Sequence, residues 1–483
     1  MSRLLISGCE AVVTMDDAGT ELAGGSILLE DGVIRWVGAG VPPAAAMAGA
    51  EVLDGRGCVA IPGLVNTHHH LYQTLTRARA QEHGLFGWLT ELYPVWSGLD
   101  TEWVRVAAGA GLAELALSGC STSTDHHYVF PAGAGDLLEA EIEAAQGIGL
   151  RFHPCRGSMD MGASDGGLPP DAVVQDMDSV LAETERAVSR FHDPSPGSML
   201  RVAIAPCSPF SASERLMKES ALLARRLGVR LHTHVAETAD EEAFCLERFG
   251  CRPIELLERL GFLGEDVWLA HGVHVSGEDI RRLGATGTAI AHCPTSNLRL
   301  GSGMAPIREL LDAGVPVGLG VDGSASNDGG HLLGEVRQAL LVARGRGGPG
   351  AMGAREALRL GTRGGAACLG RDDVGSIEPG KRGDVALFDL SGLAFAGVEA
   401  DPVAGMVLAW PQRVRHLLVE GRFVVRDGHL ANANEATLAA EAHRMARRIA
   451  DGSTYVGEAG VGRSSYESTT GRMALGETVR DLP

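Results

Sequence analysis

The sequence predicts an α/β fold, a metal-dependent (β/α)8 TIM-type barrel with a small discontinuous β-sandwich domain. Three observations favour this fold. Strand-like runs alternate with amphipathic helices over residues 61–372, strand-like runs separated by turns recur at both ends of the chain, and four apolar runs end at histidine or aspartate. Repeated strand-then-helix units indicate a parallel sheet, and polar residues at several strand ends are typical of the active face of a barrel.

The first part of the chain has the pattern of an all-β unit. Asp-Asp and Asp-Gly turn signals separate short apolar runs. These runs are residues 4–7, 11–15, 25–30 and 33–37. The same pattern returns at 384–388 and at 414–425. We therefore predict one β-sandwich domain that is made of residues 1–60 plus 373–430.

The middle of the chain is predicted to form the catalytic barrel over residues 61–372. Its clearest amphipathic helices are predicted at 103–118, 171–191, 213–227 and 307–313. A closed barrel is favoured over an open doubly wound sheet, because no GxGxxG turn follows the first strand. Residues 431–483 are predicted to form a helix over 435–450 and then a tail rich in glycine, serine and threonine.

The composition restricts the classes of function. The chain has 483 residues, of which 45% are apolar, so a large core is expected, and its net charge is −19. This charge argues against nucleic acid or an anionic membrane as a partner and fits a small-molecule substrate. The nine cysteines are scattered, which indicates reduced thiols. The sequence shows no signal-peptide pattern and no apolar window of about 20 residues. We therefore predict a cytoplasmic protein. Barrels of this kind often pair, so we expect a homo-oligomer.

The most informative stretch, residues 62–70, reads PGLVNTHHH. The apolar run 59–65 is predicted to be one short buried strand. Alternate side chains of a strand face the same way, so His68 and His70 are expected to point together while His69 points elsewhere. Two converging imidazoles at a strand end are half of a metal site. The alternative is a polar loop that happens to be rich in histidine.

Three later strand-like runs supply the missing ligands. They lie at 229–238, 267–272 and 315–322, and they place His234, His271 and Asp322 at strand ends. The C-terminal strand ends are where active sites of barrels assemble. One divalent ion per subunit, zinc first and iron as the alternative, is expected to keep an open position for water. The predicted ligands are His68, His70, His234 and Asp322.

Acid–base roles can be predicted for the residues around this ion. A carboxylate beside the bound water can take its proton and pass it to a leaving amine, which is the role predicted for Asp322; the alternative is an ordinary turn aspartate. Glu237 follows His234 by three residues and can protonate a ring nitrogen of a heterocycle; the alternative is a solvated or helix-capping glutamate. His271 is predicted to orient the attacking hydroxide, with a role as a metal ligand as the alternative, and His232 is predicted to pack in the barrel.

These motifs resemble the amidohydrolase superfamily, in its branch of aminohydrolases that act on purines and triazines. The matching segments are residues 62–70, 232–238, 269–272 and 320–328. The resemblance extends over nearly the whole chain up to about residue 430. It implies a single metal ion in a (β/α)8 barrel beside a small β-sandwich, and it implies hydrolysis of a C–N bond with Glu237, His271 and Asp322 as catalytic residues.

Further segments narrow the reaction that the resemblance implies. They are residues 85–89, 156–159, 165–170 and 205–210. Some triazine hydrolases of this branch lack residues that match Asp322 or Glu237, so retention of both favours deamination over dechlorination. Cys207 stands where related adenosine-type deaminases have a histidine, which suits a free base. The expected reaction is deamination of 8-oxoguanine to urate and ammonia, with a triazine or a guanine- or isoguanine-type substrate as the alternative.

Four residues are predicted to contact the substrate. Gln73 and Arg156 are candidates for hydrogen bonds to ring carbonyls, because an arginine recognises planar oxygens with two parallel bonds. Trp88 is predicted to cover the base plane or to pack under the loop, and Cys207 to contact the base. Proteins of this architecture that have lost their metal lack the ligand histidines. This chain retains all the ligand candidates, so an enzyme is expected rather than a structural partner.

Overall fold

The computed structural model describes residues 2–452. It contains a closed barrel of eight parallel strands and a separate nine-stranded sheet, which confirms the predicted fold class. In chain order the strands are β1 (Arg3–Val13), β2 (Glu21–Glu30), β3 (Val33–Ala39), β4 (Glu51–Asp54), β5 (Cys58–Pro62), β6 (Leu64–Asn66), β7 (Cys120–His127), β8 (Arg151–Ser158), β9 (Ala203–Pro206), β10 (Leu231–Val235), β11 (Val267–His271), β12 (Ala289–His292), β13 (Val317–Leu319), β14 (Val385–Asp389), β15 (His416–Val419), β16 (Arg422–Arg426) and β17 (His429–Leu430).

The barrel closes through β6 to β13 in sequence order, and β13 pairs with β6. The outer sheet has the order β17-β16-β15-β14-β5-β1-β2-β3, with β4 paired to β1. The helices are α1 (Ala44–Met47), α2 (Leu85–Trp96), α3 (Thr101–Leu117), α4 (Leu137–Ile148), α5 (Met177–Phe191), α6 (Glu214–Leu227), α7 (Ala239–Phe249), α8 (Pro253–Arg259), α9 (Gly277–Thr286), α10 (Pro294–Arg299), α11 (Ile307–Asp312), α12 (Leu332–Gly347), α13 (Ala354–Arg359), α14 (Gly365–Cys368), α15 (Pro402–Leu408) and α16 (Glu435–Gly452).

The chain passes from the outer sheet into the barrel at Gly63. The prediction of a single strand over 59–65 is wrong, because β5 pairs with β14 of the outer sheet whereas β6 pairs with β7 of the barrel. A Cβ atom at Gly63 would lie 2.3 Å from the hydroxyl oxygen of Ser121, so only glycine fits there. The barrel strand that follows is short, and His68 and His70 lie just beyond it at the C-terminal rim.

The two strands predicted at 4–7 and 11–15 are one strand, β1. Its register against β2 shifts between Ile6 and Cys9, which marks a bulge. Gly8 lies within the bulge and has a φ of 72°, a left-handed conformation that glycine adopts without steric cost. The glycine therefore bends the strand instead of ending it.

A buried ion cluster joins the barrel to the outer sheet. The side chain of Arg151, at the start of β8, is completely buried. Its guanidinium donates two hydrogen bonds of 3.0 Å to the carboxylate of Asp384 and another to Glu420, in the turn before β16. Burial of a charge is tolerated when it is paired and hydrogen-bonded in this way.

The C-terminal helix α16 runs two residues further than the 435–450 predicted. Its Met445 and Ile449 pack in a cluster that includes Trp103 of α3. The predicted tail after residue 452 lies outside the described residues. Among residues 2–452, no helix combines the length and the apolar character that a membrane span requires. All nine cysteines are buried free thiols.

Candidate active site

Four predicted ligand side chains meet at the C-terminal rim of the barrel. His68 and His70 follow β6, His234 lies in β10 and Asp322 follows β13. All four side chains are buried. The Nε2 atoms of His70 and His234 lie 3.0 Å apart, and Asp322 Oδ1 lies 3.4 Å from the Nε2 atom of His68 and 3.4 Å from that of His70. The structure thus brings the predicted ligands together.

Hydrogen bonds to backbone carbonyls set the tautomers of two of these histidines. His70 Nδ1 lies 2.7 Å from the carbonyl oxygen of His126, and His234 Nδ1 lies 2.7 Å from that of Cys207. A carbonyl oxygen only accepts, so each Nδ1 atom carries the proton and donates it. The Nε2 atoms of His70 and His234 therefore present lone pairs to the centre of the site.

A relay of two rings orients the third histidine. His232 Nδ1 donates to the carbonyl oxygen of Trp268 at 2.7 Å, so its Nε2 atom is an acceptor. That atom lies 3.0 Å from His68 Nδ1, which must be the donor. His68 Nε2 is then a free lone pair and has no hydrogen-bond partner. His232, which is predicted to pack in the barrel, therefore also fixes the tautomer of a predicted ligand.

The geometry and the charge state of this set fit a divalent metal ion. Two lone pairs 3.0 Å apart repel each other unless a cation lies between them. Tetrahedral zinc with Zn–N distances of about 2.0–2.1 Å separates its ligand atoms by about 3.3 Å, close to the distances found here. Burial lowers the pKa of His68, His70 and His234, so these rings are the neutral imidazoles that bind metals.

Asp322 is held as a carboxylate in one orientation. Its Oδ2 atom accepts hydrogen bonds from the hydroxyls of Ser296 at 2.6 Å and Ser326 at 3.1 Å, and its Oδ1 atom accepts from the N–H of Gly323 at 2.6 Å. Burial acts to raise the pKa of Asp322, but the electrostatic influence of the neighbouring histidines, His68, His271 and His70, holds it well below the usual value. Its φ of 64° shows that the backbone adopts an uncommon conformation to place it.

Glu237 and His271 form an acid–base pair beside the ligand set. His271 Nε2 lies 3.4 Å from Glu237 Oε2, and its Nδ1 atom lies 3.0 Å from Asn297 Oδ1. Burial raises the pKa of Glu237 to about 7. Burial acts to lower the pKa of His271, but the carboxylates of Glu237 and Asp322 raise it above its usual value. At neutral pH this pair can therefore both give and accept a proton.

These groups, apart from His68, line one cavity, and every side chain that lines it is buried. The apolar part of its wall comes mainly from α2, whose Trp88 donates a 3.0 Å hydrogen bond from its indole N–H to the carbonyl oxygen of Ala325. The lining residues are His70, Gln73, Leu85, Trp88, Leu89, Tyr93, Tyr128, Cys207, Phe210, His234, Glu237, His271, Leu300, Asp322 and Ser326. Three of the four predicted substrate contacts, Gln73, Trp88 and Cys207, are among them.

Arg156 does not line this cavity, contrary to the expectation from the sequence. Its neighbour Cys155 packs in the interior of the barrel, and strand alternation turns Arg156 outward to the helices. The guanidinium carbon lies 3.7 Å from the ring centre of Phe130, and the group donates hydrogen bonds of 2.8 Å to Gln175 and Glu183. These contacts leave Arg156 no route to a base in the cavity.

The described residues contain three groups of potential ligand atoms that lie within 4.8 Å of one another. They are His68 with His126 and His234, His68 with His271 and Asp322, and Asp125 with His127 and Glu141. The first two overlap at the rim. His70 is the predicted ligand, and its Nε2 atom faces both His234 Nε2 and Asp322 Oδ1, whereas His126 bonds the carbonyl oxygen of Ala205 through Nε2 and leaves its Nδ1 atom without a hydrogen-bond partner.

The ligand motifs in the sequence do not identify Ser296, Asn297 or Ser326. One signal points to the first two, because they come directly after the apolar run 289–292, at another strand end. Serine and asparagine at such a position are too common to single out without the geometry of the residues that they contact.

Known proteins are similar to this chain over most of its length. Residues 59–424 match the model of the amidohydrolase family. An 8-oxoguanine deaminase from Pseudomonas aeruginosa is 46% identical over 448 residues, which cover 92% of this chain and 98% of that protein. A hydroxydechloroatrazine ethylaminohydrolase from Pseudomonas sp. (strain ADP) is 39% identical, over 94% of this chain and 98% of that protein.

Solved structures of other hydrolases superpose on nearly the whole chain. The crystal structure of an atrazine chlorohydrolase from Arthrobacter aurescens TC1, complexed with zinc, superposes with a TM-score of 0.87 at 36% identity, over 92% of this chain and all of the other. An adenosine deaminase from Xanthomonas campestris with bound zinc superposes with a TM-score of 0.82 at 27% identity, over 93% and 99% of the two chains. Structural relatives of the chain therefore bind zinc.

Proposed function

The chain belongs to the amidohydrolase family and acts as a hydrolase on C–N bonds, and we propose that its substrate is 8-oxoguanine, which it deaminates to urate and ammonia. The observation that carries the proposal is the acid–base pair of Glu237 and His271, which lines the same cavity as His70, His234 and Asp322 of the predicted ligand set. The relative from P. aeruginosa, which is similar over nearly its full length, supports the choice of substrate.

His68, His70, His234 and Asp322 are the residues that would hold the metal, with zinc as the first choice and iron as the alternative. When bound, a divalent ion lowers the pKa of a water molecule to about 7 and so supplies hydroxide at neutral pH. The neutral state of the three imidazoles and the carboxylate state of Asp322 suit this role without any change of protonation.

The side chains of the protein handle the protons of the reaction. Asp322 accepts the proton of the attacking water and passes it to the departing amino group. Glu237 protonates the ring nitrogen beside the amino-bearing carbon, so that negative charge does not build up on the ring as the C–O bond forms. His271 lies between these two carboxyl groups and orients the oxygen. A general acid is most effective when its pKa is near the working pH, and burial gives Glu237 such a pKa, about 7.

The cavity suits a planar heterocycle. Apolar side chains from α2, with Phe210 and Leu300, form much of its wall. Gln73 contributes an amide oxygen that is buried and has no hydrogen-bond partner within the described protein, so it can accept a hydrogen bond from a ring N–H group. Cys207 contributes a neutral thiol, because burial raises its pKa to about 12.

Steady-state kinetics of ammonia release on 8-oxoguanine, guanine, isoguanine and hydroxytriazines tests the proposal. We expect the highest kcat/KM on 8-oxoguanine. The Glu237→Gln variant, purified in the same way, is the control for a contaminating deaminase. A clear preference for a hydroxytriazine would overturn the choice of substrate and would support the second candidate, a triazine aminohydrolase, which the 39% identical relative favours.

A further inference from the structure

We infer that Ser296 and Asn297, two consecutive residues of the short helix α10, are the positioning residues of the acid–base machinery, an inference that rests on the proposed function. The chain enters α10 directly from β12, with Pro294 at its first position, so the helix is attached to the barrel rim. Both side chains are buried, with 0% and 1% of their surface exposed.

Ser296 determines which oxygen of Asp322 faces the ligand histidines. Its hydroxyl donates to Oδ2 at 2.6 Å, which turns Oδ1 toward His68 and His70. Ser326 supports the same oxygen from a longer distance, 3.1 Å, and also donates to the carbonyl oxygen of Gly323. Of the two hydroxyls, Ser296 is the one with no other acceptor, so its loss removes a hydrogen bond that serves only the orientation of Asp322.

Asn297 determines the ring orientation of His271. Its Oδ1 atom accepts from His271 Nδ1 at 3.0 Å, so the proton lies on Nδ1 and the Nε2 lone pair faces Glu237 at 3.4 Å. The φ of His271 is 76°, an uncommon backbone conformation of the kind that is found at functional sites. Asn297 makes no contact with the four predicted ligands through this side chain.

One helical turn therefore orients two different groups. Replacement of Ser296 and replacement of Asn297 should accordingly have different consequences. Residues that orient a ligand typically change metal affinity or activity by about 10- to 100-fold when mutated. Ser296→Ala should lower both zinc affinity and kcat by about that factor. Asn297→Leu, which keeps the shape and removes the acceptor, should lower kcat by a similar factor and leave zinc affinity unchanged. Neither variant should change KM by more than about twofold.

The experiment measures zinc affinity by chelator competition and kcat and KM on the best substrate of the wild type, for the full-length zinc-loaded protein. Leu298→Ala is the matched control, because Leu298 lies on the same helix with 43% of its surface exposed. It should change none of the three quantities. A crystal structure of Asn297→Leu should show the His271 ring turned away from Glu237.

Three results would overturn the inference. The first is a kcat of Asn297→Leu within twofold of the wild type. The second is an equal loss of zinc affinity in Ser296→Ala and Asn297→Leu, which would indicate general disruption of the helix. The third is a similar defect in Leu298→Ala. If the wild type deaminates no heterocycle, the proposed function fails, while zinc affinity and the ring orientation in the crystal still decide whether these residues position Asp322 and His271.

Discussion

Two buried clusters lie on opposite faces of the same barrel strand, and we predict a metal ion at only one of them. Residue His126 of β7 faces the interior, where its carbonyl oxygen accepts from His70 of the rim cluster. Its neighbours Asp125 and His127 face outward and meet Glu141 of α4. Both clusters combine imidazole and carboxylate groups at metal-ligand spacing, so residue type and distance alone do not separate them.

The difference lies in where the lone pairs point. In the outer cluster, His127 Nε2 donates to the carbonyl oxygen of Val129 at 2.9 Å, and its Nδ1 atom lies 2.7 Å from Glu141 Oε1. Burial lowers the pKa of His127 to about 4 and raises that of Glu141 well above its usual value, so the proton between them belongs to the carboxyl group. Protons neutralise the outer cluster, whereas the rim cluster presents unshared lone pairs that suit a cation.

The largest expected effect comes from the same isosteric change made in both clusters. Asp322→Asn removes a ligand and a proton acceptor, and we expect kcat to fall by about 10³-fold or more with weaker zinc binding. Asp125→Asn keeps an oxygen that accepts from the N–H of Leu71, so metal content and kcat should stay near those of the wild type. Elemental analysis, circular dichroism and kinetics measure these effects.

Removal of the metal from the wild type by a chelator should abolish activity, and added zinc or iron should restore it. Two ions per chain in the wild type, or loss of metal in Asp125→Asn, would contradict the distinction between the clusters. A folded Asp322→Asn variant with near-wild-type turnover would refute the role of that carboxylate.

The next effect separates chemistry from metal binding inside the rim cluster. Glu237→Gln keeps the shape but cannot give a proton, so we expect kcat to fall by about 10²- to 10⁴-fold while the metal content stays unchanged. The acid form of Glu237 is the active one, and its pKa is about 7, so kcat/KM of the wild type should fall as the pH rises above 7. This fall should be absent from the residual activity of the variant. An unchanged pH profile would exclude Glu237 as the proton donor.

The smallest effect concerns the stability of the outer cluster. Burial raises the pKa of Glu141 in the folded state, so the folded protein binds the extra proton and its free energy of unfolding falls as the pH rises above the unfolded pKa, about 4.3. In Glu141→Gln, the side-chain amide can donate a hydrogen bond to His127 Nδ1 but has no proton that titrates in this pH range. In denaturant unfolding between pH 5 and 8, the free energy of unfolding of the variant should therefore rise relative to that of the wild type by up to about 1.4 kcal/mol per pH unit. A constant difference across this range would show that Glu141 is ionised in the folded state.

Much of this architecture could be predicted from the sequence, because buried strands of a barrel are apolar runs and their ends carry the functional groups. His68, His70, His234 and Asp322 are recognisable for that reason, and the structure brings them together. The direction of a side chain on a strand is harder to predict. Arg156 and Cys155 are adjacent in a strand buried on both faces, so no alternation of apolar and polar residues shows which one faces inward.

Other features depend on contacts that join distant parts of the chain. The bond from Ser296 to Asp322 and the relay from Trp268 through His232 to His68 exist only after the barrel closes. Cytoplasmic location, assembly into a homo-oligomer and the domain limits 1–60 plus 373–430, 61–372 and 431–483 stay predictions.

The cavity has a consequence for the rate of turnover. Every lining side chain is buried, so we expect part of the wall to move aside before a base reaches Glu237 and again before the product leaves. Opening and closing then belong to each catalytic cycle, and kcat has an upper limit set by how often the wall opens. A variant in which only the chemical step is faster therefore cannot have a kcat above that limit.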